Sequence, residues 1–204
     1  RRQRQMCIRD SFFTLISLSI AFSSPKNPEN YIQVNGGQLN YIPPNSIVEG
    51  SLAHGGGQPD YLIDYDSSLF KQYILEAKKI GENTDDFWQK IDLIINLINS
   101  KAITQRGYNN PVHKKLNESY EVLGKSIPFS SYIHCSVGAC RESAILFHIL
   151  LREAGVKNTH TYAQIQRKRL SGLYDIVEDH AFVTTKYKGK VWVLDTYYGG
   201  FNGY

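Results

Sequence analysis

The chain has 204 residues, 42% of them hydrophobic and 12% aromatic, with a net charge of +4. This composition is globular rather than disordered, and the length suits one domain with a sizeable core. Residues 1–10 hold four arginines and one aspartate, so without them the net charge falls to +1. No general basicity remains to point to nucleic acid or to an anionic membrane.

The start of the chain reads as foreign to the fold. Arg4-Gln5-Met6-Cys7-Ile8-Arg9-Asp10-Ser11 resembles the translation of a transposon-end adapter from sequencing libraries, and Met6 is the only methionine. Residues 1–11 are therefore expected to be a non-native scar, and Cys7 leaves the cysteine count with them. Residues 12–23 are expected to follow as a truncated export signal, the alternative being a short buried helix or strand of the domain. Phe12 to Phe22 is an apolar run of h-region length, too short to span a bilayer, and Ala21 and Ser23 are small where a signal peptidase reads. The expectation is an exported domain, periplasmic or secreted, over residues 30–204 and without stable membrane insertion. Tyr204 lies nine residues past Asp195, which leaves a further C-terminal extension open.

Residues 30–65 are rich in Asn, Gly, Pro and Tyr and predict a loop-dominated lead-in with one or two short strands. Within it, Ala53-His54-Gly55-Gly56-Gly57 lacks the lysine of a phosphate loop and reads as a turn. Ser67 or Ser68 can cap a first helix through Leu69, Phe70, Tyr73, Ile74 and Ala77, closing at Gly81. A second helix starts from a cap at Asn83 or Thr84. Its Phe87, Trp88, Ile91, Ile94, Ile95 and Ile98 form one apolar stripe. The third opens at Asn110-Pro111, carries Leu116, Tyr120 and Leu123, and stops at Gly124. Pro128 then breaks the chain before a loop leading to Cys140.

Cys140 opens a helix that is apolar almost all round. Ala144, Ile145, Leu146, Phe147, Ile149, Leu150 and Leu151 leave no wide polar stripe, so this helix is expected at the centre, ending at Glu153-Ala154-Gly155. The first turn of a helix supplies orphan N–H groups and the positive end of the dipole, which favour a thiolate.

Beyond it the period switches from 3.6 to 2. Thr159–Gln166, Ala181–Thr185 and Val191–Leu194 read as strands, the first two separated by a polar excursion through residues 167–172. With Lys188-Gly189 as the turn, paired positions of the last two strands sum to 377. His180 and Asp195 then become diagonal neighbours on one face. A three-residue loop would put His180 on the other face. Asp179 alternates away from that face. The order of helices, cysteine helix and antiparallel strands makes an α+β chain.

Cys140, His180 and Asp195 thus supply a thiol, a base and an orienter for the base, each on a regular element. Cys135, five residues before Cys140, is either a spectator or a disulfide partner that would silence the thiol. His134, Cys135, Cys140 and His148 lack the paired spacing of a zinc site, and no acidic loop resembles a calcium site.

Gly138-x-Cys140-Arg141-x-x-Ala144, His180-Ala181-Phe182-Val183 and Trp192-x-x-Asp195-Thr196 together resemble the transglutaminase-like superfamily. That superfamily carries strings close to G-x-C-R-x-x-A, H-A-W-V and W-x-x-x-D-P-T. The resemblance covers residues 133–197. Phe182 stands for the frequent tryptophan, and Thr196-Tyr197 for the usual Pro-Thr. It implies a papain-like α+β fold, with the cysteine helix against a small antiparallel sheet, and a catalytic Cys140–His180–Asp195 triad. It also implies acyl transfer from a peptide or glutamine amide through a thioester, with no cofactor and a protein or peptide as partner. A cysteine peptidase or amidase is favoured over a cross-linking transglutaminase or a non-catalytic binding module. No match can be placed for the upstream residue that often completes the oxyanion hole, Gln105 being the nearest guess.

Overall fold

A computed structural model describes residues 31–32, 37–50, 59–168, 174–198 and 200–203. Residues 1–11 and 12–23, read above as a scar and an export signal, together with Ala53–Gly57 and residues 169–172 of the polar excursion, lie outside the described residues. Short strands β1 (Tyr31–Ile32), β2 (Gln38–Leu39), β3 (Ile47–Val48) and β4 (Tyr61–Leu62) precede helix α1 (Ser68–Asn83). The lead-in is thus stitched by more strands than its composition suggests.

Helix α1 is capped by Ser67, whose side chain accepts the Phe70 N–H at 3.2 Å. It runs through Gly81 rather than stopping there. A Cβ at Gly81 would lie 2.7–2.9 Å from the Ala154 backbone, so this glycine permits a close helix approach and is not a terminator. Helix α2 (Phe87–Leu97) is capped by Asp86, which accepts the Gln89 N–H at 2.7 Å, not by Asn83 or Thr84. The extra turn of α1 takes up those two residues. A single π turn, Ile98–Ala102, extends α2.

Strand β5 (Gln105–Arg106) leads to α3 (Pro111–Leu123). Asn110 caps α3 through the Val112 N–H, and Gly124 closes it at φ +58°. The face α3 buries is polar, however. His113 and Asn117 are inside, Leu116 and Tyr120 are half-buried and Leu123 is exposed. Pro128 does not open a loop: it ends strand β6 (Ile127–Pro128), and helix α4 (Phe129–Cys135) follows at once. Phe129, Tyr132 and Ile133 carry helical spacing into the core.

Strand β7 (Val137–Gly138) pairs in parallel with β5 and delivers the chain to helix α5 (Cys140–Glu153). Every residue from Cys140 to Leu151 is buried. Burying each large apolar side chain contributes roughly 1.5–3 kcal/mol, which makes α5 the spine of the domain. Helices α1 and α2 pack on it from one side. On the other lie β8 (Thr159–Lys168) and β9 (Tyr174–Tyr187). Both strands reach further than the alternating patterns alone suggest.

Strands β10 (Lys190–Asp195) and β11 (Gly200–Gly203) complete a five-stranded sheet in the order β11-β10-β9-β8-β2, all neighbours antiparallel. The β9–β10 register runs from Lys190↔Tyr187 to Leu194↔Val183, as the Lys188-Gly189 turn requires. Both turn residues have positive φ, +48° and +76°. This is the primed turn whose twist matches the flanking strands. The architecture is α+β, with the Cys140 helix packed on an antiparallel sheet.

Candidate active site

Three elements bring side chains to the N-terminus of α5. Strand β7 sets the loop before the thiol, and its glycine is required by space: a Cβ at Gly138 would lie 3.0 Å from Glu142 Cβ and 3.2 Å from Ile103. Ala139 has no side-chain oxygen with which to cap α5. Its own N–H instead donates to Glu142 Oε2 at 2.6 Å, the reach-back half of a capping box. Cys140 is the first residue of α5 and is free of any disulfide, so it is not bridged to Cys135.

His180 lies on β9 and Asp195 at the end of β10, where the hairpin register puts them on one face. His180 Nε2 donates to Asp195 Oδ2 at 2.6 Å. Asp195 Oδ1 accepts the Tyr197 N–H at 2.8 Å and the Tyr198 N–H at 3.2 Å, so both carboxylate oxygens are anchored. The other side-chain partner of His180 is Cys140. Burial works against charge on the imidazole, but the hydrogen bonds to Asp195 and Cys140 and their charges reverse this and push it up to about 9. Burial likewise opposes a charged Asp195, yet His180 and the two backbone N–H groups hold its carboxyl below the ordinary value. The pair is built to carry an imidazolium against a carboxylate at neutral pH.

The walls are aromatic. The Tyr198 ring lies 4.7 Å from the His180 ring, with Phe182 at 6.0 Å and Tyr197 at 6.3 Å. Arg106 Nη1 donates to the Tyr197 carbonyl at 3.1 Å and ties β5 to the segment after Asp195. Cys140 and His180 are each only 3% exposed, so the thiol sits in a narrow site.

One residue at the thiol was not foreseen. Tyr108, in the loop between β5 and α3, places its hydroxyl 3.3 Å from Cys140 Sγ. Gln105, the guess for an upstream side chain, lies on β5 and spends its backbone N–H on the Ser136 carbonyl. No periodicity marks Tyr108 in the sequence; its one signal is an aromatic between Gly107 and Asn109-Asn110, where a turn is expected. Among the other histidines, His134 is exposed, while His148 is buried with Nδ1 at 2.7 Å from Asn158 Oδ1. Among the described residues no group of three or more His, Cys, Asp or Glu side chains could hold a metal ion, and no helix is long and apolar enough to cross a membrane.

No protein-family model matches the chain, and no curated protein matches it. Among solved structures, the chain is similar to the periplasmic domain of TgpA from Pseudomonas aeruginosa bound to ethylmercury. The two share 13% identity at a TM-score of 0.43, over 62% of this chain and 43% of that one. A second structure of that domain gives 13% and 0.42, over 61% and 41%. A "Putative Cysteine Protease" from Cytophaga hutchinsonii gives 16% and 0.40, over 62% and 37%. The matched region is thus less than half the length of each of those structures.

Proposed function

We propose that the chain is a thiol-dependent acyl-transfer enzyme acting on amides, a cysteine peptidase or amidase in which Cys140 is the nucleophile. The observation that carries this reading is His180 held between Cys140 and Asp195, its charged form stabilised by both. With Nε2 committed to Asp195, the second ring nitrogen is the one left to exchange a proton with the thiol.

Cys140 Sγ attacks the amide carbonyl carbon, forming the S–C bond and moving the carbonyl electron pair onto oxygen. The Cys140 N–H and the Tyr108 hydroxyl are the two donors at hand for that oxyanion. As the intermediate collapses the C–N bond breaks, and the His180 imidazolium protonates the departing nitrogen. The thioester is then cleaved by water, whose proton returns to His180, releasing the carboxylic acid and regenerating the thiolate. A lysine amine in place of water would give transamidation from the same thioester. The substrate class is protein or peptide. The reading of residues 12–23 as an export signal places this chemistry outside the cytoplasm.

Brief treatment with limiting iodoacetamide near pH 6, followed by peptide mass mapping, tests the nucleophile. An ordinary thiol of pKa about 8.5 reacts slowly there. Fast single labelling at Cys140, lost in His180→Ala, is the expected result. Labelling no faster than at Cys135 would overturn the reading. Release of ammonia or new amino termini, against incorporation of a fluorescent alkylamine, then separates hydrolysis from transamidation.

A further inference from the structure

Behind the thiol lies a carboxylate for which the chemistry above has no use. Glu142 is 0% exposed, in the first turn of α5. Its Oε2 accepts the Ala139 N–H at 2.6 Å and faces His113 Nε2 at 3.6 Å. That gap is beyond a good hydrogen bond but within ion-pair reach, and His113 Nε2 has no other hydrogen-bond partner. Its Oε1 accepts the Tyr61 hydroxyl. The His113 ring in turn meets Tyr108 edge-on, with centroids 5.7 Å apart at 88°. Arg141, also buried, lies 4.6 Å from the centre of the Tyr61 ring and donates to the Glu49 carbonyl.

Thiolate electrostatics does not account for this carboxylate, and stability alone is a weak reason for it. A buried ion pair is often no better than an apolar replacement of the same shape. A negative charge two residues from Cys140 opposes a thiolate rather than favouring it. What Glu142 does is geometric: its two oxygens accept hydrogen bonds from β4 and the loop before the thiol and face the His113 ring of α3. The Cys140 N–H and the Tyr108 hydroxyl belong to segments 32 residues apart in the chain. Glu142 reaches the first through Ala139 and the second through His113.

We propose that Glu142 is a positioning residue for acyl transfer, fixing the Ala139–Cys140 backbone and, through His113, the Tyr108 ring, so that both oxyanion donors converge on one point. The proposal rests on the reading of Cys140 as the nucleophile. Oxyanion donors act only when held about 2.7–3.1 Å from where the charge develops, so a loosened hub costs acyl transfer selectively.

Two reagents separate the effects. With p-nitrophenyl acetate, Cys140 Sγ bonds to the acetyl carbon through a tetrahedral oxyanion, and p-nitrophenolate leaves with its electron pair. With iodoacetamide, an S–C bond forms as iodide leaves, and no oxyanion arises. Both rates are read on the Cys140 peptide by mass, in wild type, Glu142→Gln, His113→Phe and Tyr108→Phe. In Glu142→Gln acylation is expected to fall about 10- to 100-fold while alkylation changes less than about threefold, set against the ~10²–10³ of a deleted donor. His113→Phe keeps a ring beside Tyr108 but loses the pair, and gives a smaller selective fall if Glu142→Gln does not fold. Glu142→Gln combined with Tyr108→Phe is expected to fall by less than the product of the two single falls, because only the Cys140 N–H is then left for Glu142 to position.

Equal falls in both rates, or an unchanged acylation rate in a folded variant that merely melts earlier, would overturn the positioning role. Wild-type Cys140 no faster than free cysteine with either reagent would instead overturn the nucleophile reading, and the proposal with it.

Discussion

Acidification from pH 6.5 to 4.5 should strip the domain of about 4 kcal/mol of stability through two histidines remote from the thiol. His148 on α5 and His160 on β8 are buried with ring centroids 6.3 Å apart. Burial holds His148 down to about 4, helped by Arg152 and only partly offset by Asn158. Burial, with the charges of His148 and Arg141, holds His160 down to about 3. Their pKa values are lower in the folded than in the unfolded state. Above pH 6.5 both states are neutral and no penalty arises, while below it the unfolded chain takes up protons that the folded one refuses. Linkage gives about 2 kcal/mol lost per histidine across this window. Domains of this size hold about 5–15 kcal/mol in total.

The window isolates the pair from the other shifted groups. His180, raised to about 9, contributes stability fully present below 6.5 and lost as pH rises through 9, so its part is constant here. Glu142 and Asp195 are lowered from 4.5 and 3.8, so their contributions decay only as pH falls beyond the lower edge. With a urea slope of about 2 kcal/mol/M, the unfolding midpoint should drop by about 2 M between the two pH values. The double variant His148→Gln, His160→Phe should flatten that dependence whatever its stability at pH 7. An equally steep dependence in the double variant would refute the argument.

Further outcomes are expected at the site and in the frame that holds it. Asp195→Asn removes the anion that charges and orients His180, so amide turnover should fall at least about a hundredfold in steady-state assays, and the stability the pair contributes at neutral pH should fall with it. On the proposed mechanism, amide hydrolysis should decline above pH about 9, where His180 loses the proton that mechanism assigns to the leaving nitrogen. Alkylation of Cys140 should not decline there, and a parallel fall in both would contradict the acid role. Gly81→Ala should gain helix propensity of about 1 kcal/mol yet destabilise the domain by a net ~1–2 kcal/mol. The new methyl must push into the Ala154 backbone at 2.7–2.9 Å, and chemical denaturation reads the sign directly.

Features set by a few neighbouring residues were legible from the chain alone. The unbroken apolar face of Ala144 to Leu151 admits only burial, and α5 is buried. Two residues able to take positive φ, Lys188 and Gly189, set the β9–β10 register. With a period of two, that register alone puts His180 and Asp195 on one face. Ser67, Asn110-Pro111 and Gly124 set helix ends because a cap is a contact over three residues. What lay beyond local reading was decided by groups brought together from distant segments. The polar side of α3 is buried because His113 meets a carboxylate on α5 and Asn117 meets the Tyr132 hydroxyl on α4. Gly81 extends a helix because Ala154, 73 residues later, needs the space. Tyr108 reaches the thiol because β5 pairs with β7, which ends two residues before Cys140. Spacing along a chain records which face of an element is apolar, but not which polar group of another element will arrive opposite, since that is settled only when the core closes.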